Sequence, residues 1–224
     1  GGRNPRPGEI TLAHRGVLFL DEMPEFSRRS LEILRQPLED KVIRISRVYG
    51  TYDFPADFML CAAMNPCPCG HYPDMNRCRC TPVQVMQYLG RISQPLLDRL
   101  DLCAEVSPVD FEGLSSGRKG ESTQTIRERV ICAQDIQRER YKIEGIQFNG
   151  ELSGAQIEKY CKMEKDARQL LKMAFQNMPF SARAYHRILK VARTIADMEA
   201  TESIHRHHIA EALSYRAFDK KYWN

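Results

Sequence analysis

The run Gly16-Val17-Leu18-Phe19-Leu20-Asp21-Glu22 constrains this chain more than any other segment. Four consecutive apolar residues suit a short strand buried on both faces of a parallel sheet. The carboxyl end of such a strand opens at the crevice where α/β sheets bind ligands. Two carboxylates placed there have a chemical use. Asp21 can hold Mg2+ through its water shell, because Mg2+ takes oxygen ligands and keeps several waters. Glu22 can polarise a water for attack on a phosphate. The alternative is a buried strand that ends in two solvated acids, and the run alone does not separate the two.

Its neighbours extend the pattern. Leu31, Leu34 and Leu38 lie at helical spacing, which predicts a helix from Ser30 to about Asp40, bent at Pro37. Val42 to Val48 alternates apolar and polar, Tyr49-Gly50-Thr51 reads as a turn, and Tyr52 to Phe54 runs back as a hairpin. Phe58 to Met64 predicts a second buried strand that delivers Asn65 at its end. Asn65 is either a turn former or the polar side chain that orients an attacking water. Residues 66–82 read as a loop. Val83 to Leu100 reads as helical with a break at Pro95, and Leu102 to Val106 as a short strand. Phe111 to Gly120 is rich in Gly and Ser and reads as a linker.

Beyond it the pattern is wholly helical. Ser122 opens a helix with Ile126, Val130 and Ala133 on one face. Ser153 and Gln156 are spaced for a capping box. Ala167, Leu170, Leu171, Ala174, Phe175 and Met178 form an apolar stripe. Ser181 caps a helix with Ile188, Ala192 and Ile195, and Ile209, Ala212 and Leu213 mark a last one.

With 224 residues, the chain is long enough for one large or two small cores. Its net charge of +4, from 33 basic and 29 acidic residues, permits a nucleic-acid partner without requiring one. No apolar run reaches the ~20 residues of a membrane span, and no signal-peptide pattern is visible. Residues 1–8 carry no initiator Met and read as a loop, so a piece of a longer protein is expected.

Four of the eight cysteines, Cys67, Cys69, Cys78 and Cys80, fall in one short segment as C-x-C…C-x-C; the others are scattered singly. This distribution suits a reducing, cytoplasmic setting and a structural Zn2+ held by four thiolates. The spacing is tighter than the usual C-x2-C knuckle, and free thiols or two disulfides are the competing readings. His71 is a spectator in this reading. His205, His207 and His208 precede the last helix; two are adjacent, so they do not face a common ligand and are read as capping or surface residues.

Arg99 stands between Asp98 and Asp101 in an apolar frame. It is either a surface Arg in a weak ion pair or a finger that neutralises phosphate charge in a transition state.

Three runs now define a resemblance: Gly8 to Glu22, Ala62 to Gly70 and Arg91 to Asp101, continued by Phe180-Ser181-Ala182-Arg183-Ala184-Tyr185-His186-Arg187. They resemble the bacterial magnesium-chelatase-like AAA+ proteins of the YifB/ComM type over nearly the whole chain. Magnesium chelatase ATPase subunits are similar within the wider group, and MCM helicases more distantly.

The resemblance implies an α/β fold: a partial AAA+ core of parallel sheet, helices and a β-hairpin insertion, followed by an all-helical lid. The expected divisions are 1–112 for the carboxyl-terminal part of the core, 113–121 for a linker and 122–224 for the lid. By resemblance Asp21 and Glu22 are the Walker B acids, Asn65 is sensor 1 and Arg99 the finger. Arg183 is sensor 2, with Arg187 a less favoured alternative. The hairpin corresponds to a pore-facing insertion, making Arg44 and Arg47 candidates for DNA phosphates; exposed Arg on a hairpin is more often a solvated face.

Implied cofactors and partners are ATP, Mg2+, DNA and copies of the chain in a ring, expected as a hexamer. The family's phosphate-binding loop, G-x-x-x-x-G-K-[ST], occurs nowhere in the 224 residues. The chain alone is therefore expected to bind ATP weakly or not at all. Three functions follow: a DNA-acting motor, a chelatase-type subunit that remodels a partner during metal insertion into a porphyrin, and a non-enzymatic lid-and-sensor piece.

Overall fold

The computed structural model of the chain describes residues 5–47, 50–106, 115, 120–178 and 180–216. Most of the expected linker at 113–121 lies outside them, as does the Tyr49 part of the expected hairpin turn. Two compact units divide between Leu100 and Asp101. Among the described residues no helix is long and apolar enough to cross a membrane.

The first unit is built on a parallel pair, β1 (Val17–Leu20) and β4 (Met59–Ala62), in the register Val17↔Met59 to Leu20↔Ala62. Leu18 and Leu20 pack onto a core of Met23, Leu31, Leu34, Ile92, Leu96 and Leu97. The opposite face is open: Val17 and Phe19 are each 58% exposed and Met59 67%. The expectation of a strand buried on both faces is thus half met. All four apolar residues of β1 alternate across a pleat, and among the described residues only one face is covered.

Helix α1 (Glu9–Leu12) precedes β1, and α2 (Arg28–Ile33) and α3 (Arg35–Asp40) follow it. The single helix expected to bend at Pro37 is instead interrupted one turn earlier, at Leu34. Proline lacks the N–H that would bond the carbonyl four residues back, which is that of Ile33, the last residue of α2. The hairpin β2 (Val42–Arg47) and β3 (Gly50–Pro55) pairs antiparallel from Val42↔Pro55 to Arg47↔Gly50, so Gly50 and Thr51 belong to the strand rather than the turn.

Helices α4 (Pro82–Leu89) and α5 (Gln94–Leu97) complete the unit. The break between them falls at Gly90–Ser93, not at Pro95. Pro95 sits in the first turn of α5, where its missing N–H leaves no carbonyl unbonded.

The second unit is helical: α6 (Thr123–Arg140), α7 (Gly154–Tyr160), α8 (Lys165–Asn177), α9 (Ala182–Met198) and α10 (Arg206–Ser214). Leu102 to Val106 forms no strand; Cys103 N–H bonds the Tyr215 carbonyl instead. Ser122 and Ser181 cap α6 and α9, and the Ser153–Gln156 capping box opens α7. Ile126 and Val130 of α6 remain exposed, and only Ala133 of the expected face is buried. The core gathers Ile157, Leu171, Ile188, Leu189, Ile204 and Ile209.

A charged network runs through this unit. Asp197, 1% exposed, accepts bonds from Arg140 at 2.9 Å, Arg193 at 3.1 Å and Asn149 at 2.8 Å. Arg193 also bonds the carbonyls of Thr201 and Glu202, which lie in the turn between α9 and α10. Removing one partner of such a network leaves the others buried and charged. Asp197→Ala is expected to destabilise the second unit by about 3–5 kcal/mol, read as a lower urea midpoint by circular dichroism.

Nearer the surface, Lys159, Tyr160 and Gln156 bond Glu144 and hold its carboxyl down at about 2. A depressed folded-state value stabilises the fold fully above the unfolded value near 4.5, and that contribution fades as pH falls toward 2. Urea titrations between those pH values should show a shallower pH dependence in Glu144→Gln.

Candidate functional site

Asp21 and Glu22 leave β1 at its carboxyl end, and both are exposed. Asp21 Oδ1 accepts the Glu22 N–H at 2.9 Å, leaving Oδ2 without a partner among the described residues. Glu22 adopts a left-handed conformation with φ of 49°, which an L-residue with a Cβ adopts at a cost of about 1–2 kcal/mol. This bend starts the 3-10 turn Met23–Glu25, in which Pro24 follows. The turn ties back across the sheet: Met23 N–H bonds Ala63 O at 3.0 Å, and Ala63 N–H bonds Leu20 O at 2.9 Å. The ends of β1 and β4 are therefore locked side by side, and Asn65 leaves the same edge as the acid pair.

Asn65 leads directly into the cysteine loop. Gly70, at φ of 79°, lies against it: a Cβ on Gly70 would sit 3.9 Å from the Asn65 amide carbon. Cys67 is fully buried. Its sulfur lies 3.4 Å from Cys69 Sγ and 3.8 Å from Cys78 Sγ, and Cys69 and Cys78 are 3.6 Å apart. All four sulfurs, Cys80 included, lie within 4.8 Å of one another, and none is in a disulfide. Zn–S bonds of about 2.3 Å in a tetrahedron give S···S edges of about 3.8 Å, so the separations fit a four-thiolate shell. His71 is outside the converging group.

Backbone N–H groups of His71 and Arg79 hold the Cys69 thiol down at about 6, whereas burial and the Cys69 sulfur push Cys80 up to about 12. A bound cation is what would bring all four to thiolates together. Val85, Tyr88 and Leu89 of α4 pack over the cluster.

The remaining candidates are held differently. The side chain of Arg99 is only 8% exposed and bonds Arg35 O, Pro95 O and the Glu39 carboxylate. Arg91, a residue with no signal of its own beyond the run that contains it, meets Pro24 O at 2.8 Å and Glu25 at 3.0 Å, beside the acid pair. In the second unit, Arg183 lies exposed in the first turn of α9, while Arg187 pairs with Asp101. On the hairpin, Arg44 forms a two-pronged pair with Asp53 at 2.9 and 3.1 Å, which holds the Asp53 carboxyl below its usual range. Arg47, at the last pair before the turn, is exposed and makes no ion pair among the described residues.

The histidines do meet a common group, contrary to expectation. His207 Nε2 and His208 Nε2 approach one oxygen of Glu199 at 2.9 and 3.0 Å. Glu199 is the C-cap of α9, and the long imidazoles at the start of α10 converge on it although their Cα atoms are adjacent. These bonds, that from His207 first, lower the Glu199 carboxyl below its ordinary range. His208 Nδ1 accepts the His205 N–H at 2.9 Å, so its hydrogen resides on Nε2 and points to the carboxylate. A metal would need that nitrogen bare. His205 and His208 form the capping box that opens α10, and His207 joins His208 on the Glu199 carboxylate.

A parallel pair ending in an acid pair and an asparagine, with a helical second unit, is the arrangement of a magnesium-chelatase-like AAA+ fold. The chain belongs to this family: residues 1–114 match the family model of magnesium chelatase subunit ChlI, and residues 120–216 match that of the ChlI C-terminal region. It is 48% identical over 222 residues to the uncharacterized protein YifB of Salmonella typhimurium, covering 98% of this chain and 43% of that one. It is 48% identical over 218 residues to the competence protein ComM of Haemophilus influenzae, covering 97% and 42%. Identity to the uncharacterized protein Rv2897c of Mycobacterium tuberculosis is 39% over 216 residues, covering 96% and 42%. The chain thus spans less than half the length of the curated relatives it matches. Members of this family are generally AAA+ ATPases.

Proposed function

We propose that the chain supplies the magnesium-and-water half of an ATPase site and its helical lid, within a ring-shaped motor, expected as a hexamer, that acts on DNA. The observation that carries this reading is the locked β1–β4 edge, where Asp21, Glu22 and Asn65 emerge together. Asp21 is suited to a hydrated Mg2+ through its uncommitted oxygen. Bound Mg2+ would neutralise charge on the β- and γ-phosphates. Glu22 accepts a proton from the attacking water, and Asn65 orients that water. Arg99 acts on a neighbouring subunit's nucleotide, and Arg183 on the γ-phosphate of its own. The phosphate-binding loop lies on a segment outside the 224 residues.

The exposed Arg47 on the hairpin supports a DNA partner. The Arg44–Asp53 pair leaves Arg44 less suited to a phosphate than Arg47. A chelatase-type subunit is the second reading, favoured by the name of the matching family models. DNA-stimulated ATPase activity of the full-length protein supports the first; stimulation only by a porphyrin-binding partner supports the second.

In the full-length protein Glu22→Gln should retain ATP binding while hydrolysis falls by about 10²–10⁴. Unchanged turnover would remove Glu22 from this role. The 224-residue chain alone should show no micromolar affinity for ATP.

The cysteine loop is proposed to hold a structural zinc ion, with no open coordination position. Cys67, Cys69, Cys78 and Cys80 would supply the shell and staple a loop that has few apolar residues. The reduced protein should carry about one zinc per chain, and Cys78→Ser should lose it; elemental analysis decides.

A further inference from the structure

Arg99 has the place of a finger by resemblance, yet its guanidinium is turned into its own unit. Its Nε donates to Arg35 O at 3.1 Å, and its Nη1 to Pro95 O at 2.6 Å. Its Nη2 pairs with Glu39, in the last turn of α3. The acids beside it in sequence are engaged elsewhere: Asp98 meets Gln94, and Asp101 meets Arg187. Glu32, the nearby acid of α2, is taken by Arg35 at 2.6 Å. Glu39 is therefore the carboxylate that balances Arg99 among the described residues.

The three anchors differ in kind. Two are neutral backbone carbonyls. The third is a full negative charge on a side chain that is 44% exposed. An ion pair whose carboxylate is partly solvated is weakened by water's screening of that charge. A phosphoryl group carries more charge and accepts the guanidinium in two-pronged fashion. It can therefore compete with Glu39 for the guanidinium, whose donors are otherwise committed within the unit.

We propose that Glu39 is a positioning residue that docks Arg99 in a resting pose, from which the phosphoryl group of a neighbouring subunit's nucleotide withdraws it. This rests on the ring-ATPase reading with Arg99 as finger. Docking lowers the fraction of subunits whose finger is engaged, and the finger acts in the transition state. The effect of Glu39 therefore falls on kcat rather than on KM.

The test is steady-state ATPase kinetics of the full-length protein in wild-type, Arg99→Ala, Glu39→Gln and doubly substituted forms. Arg99→Ala should lower kcat by about 10³. Glu39→Gln should raise kcat by up to about fivefold with KM for ATP unchanged, the range that so weak a pair permits. Glu39→Asp should stay near wild type. The double variant should be as slow as Arg99→Ala, because Glu39 acts only through Arg99. If Arg99→Ala keeps near-wild-type turnover, the finger reading fails and the docking with it. If Arg99→Ala is slow but Glu39→Gln leaves kcat unchanged or lowers it, the docking proposal alone fails. It fails too if Glu39→Gln still alters the rate in the Arg99→Ala background. Should Glu39→Gln not fold, Glu39→Ser is read by the same criteria.

Discussion

The pairing of β1 with β4 is the constraint on which the rest of the first unit depends. Four residues on each side are enough, because the register is held at both ends. Met59 N–H bonds Gly16 O before the strands begin, and Ala63 and Met23 continue the ladder after they end. A slip of one residue would turn Leu18 and Leu20 away from the core and bring Val17 and Phe19 in to take their place. The same slip would separate the acid pair from Asn65. Packing of one apolar face thus sets the geometry of the polar edge, whose neighbours Met23 and Met64 pack in that core.

That edge continues without a break into the sulfur cluster. Only Pro66 separates Asn65 from Cys67, and Gly70 folds back against the Asn65 side chain. The loop has little apolar surface of its own. What orders it is the convergence of four sulfurs and the cover of Val85, Tyr88 and Leu89.

The second unit solves a different problem. Its core is apolar, but Asp197, Arg193 and Arg140 carry charge into it. Both guanidiniums share the Asp197 carboxylate, and Arg193 also satisfies the carbonyls where the chain turns between α9 and α10. Buried ion pairs of this kind add little net stability against apolar replacements, but they penalise any packing that breaks them.

Several elements were legible in the amino-acid order because their causes are local. The Ser122, Ser153 and Ser181 caps, the hairpin alternation and the clustering of four cysteines depend on residues a few positions apart. So does the end of an apolar run at Asp21 and Glu22. What could not be read depended on distant partners. Pro37 ended the helix before it through a missing bond to Ile33, and Pro95 began a helix rather than breaking one. Cys103 met Tyr215 instead of a strand. His207 and His208, adjacent in sequence, converged on a carboxylate that only the turn after α9 brings near. Arg99, flanked by two acids, paired with neither and took Glu39 from another helix. Periodicity and spacing determine which residues are apolar, capped or clustered, since those properties are set within a turn or a strand. Which face of β1 is covered, which arginine is sequestered and which carboxylate holds it were decided by tertiary packing, because charge and hydrogen-bond partners are chosen in space rather than along the chain.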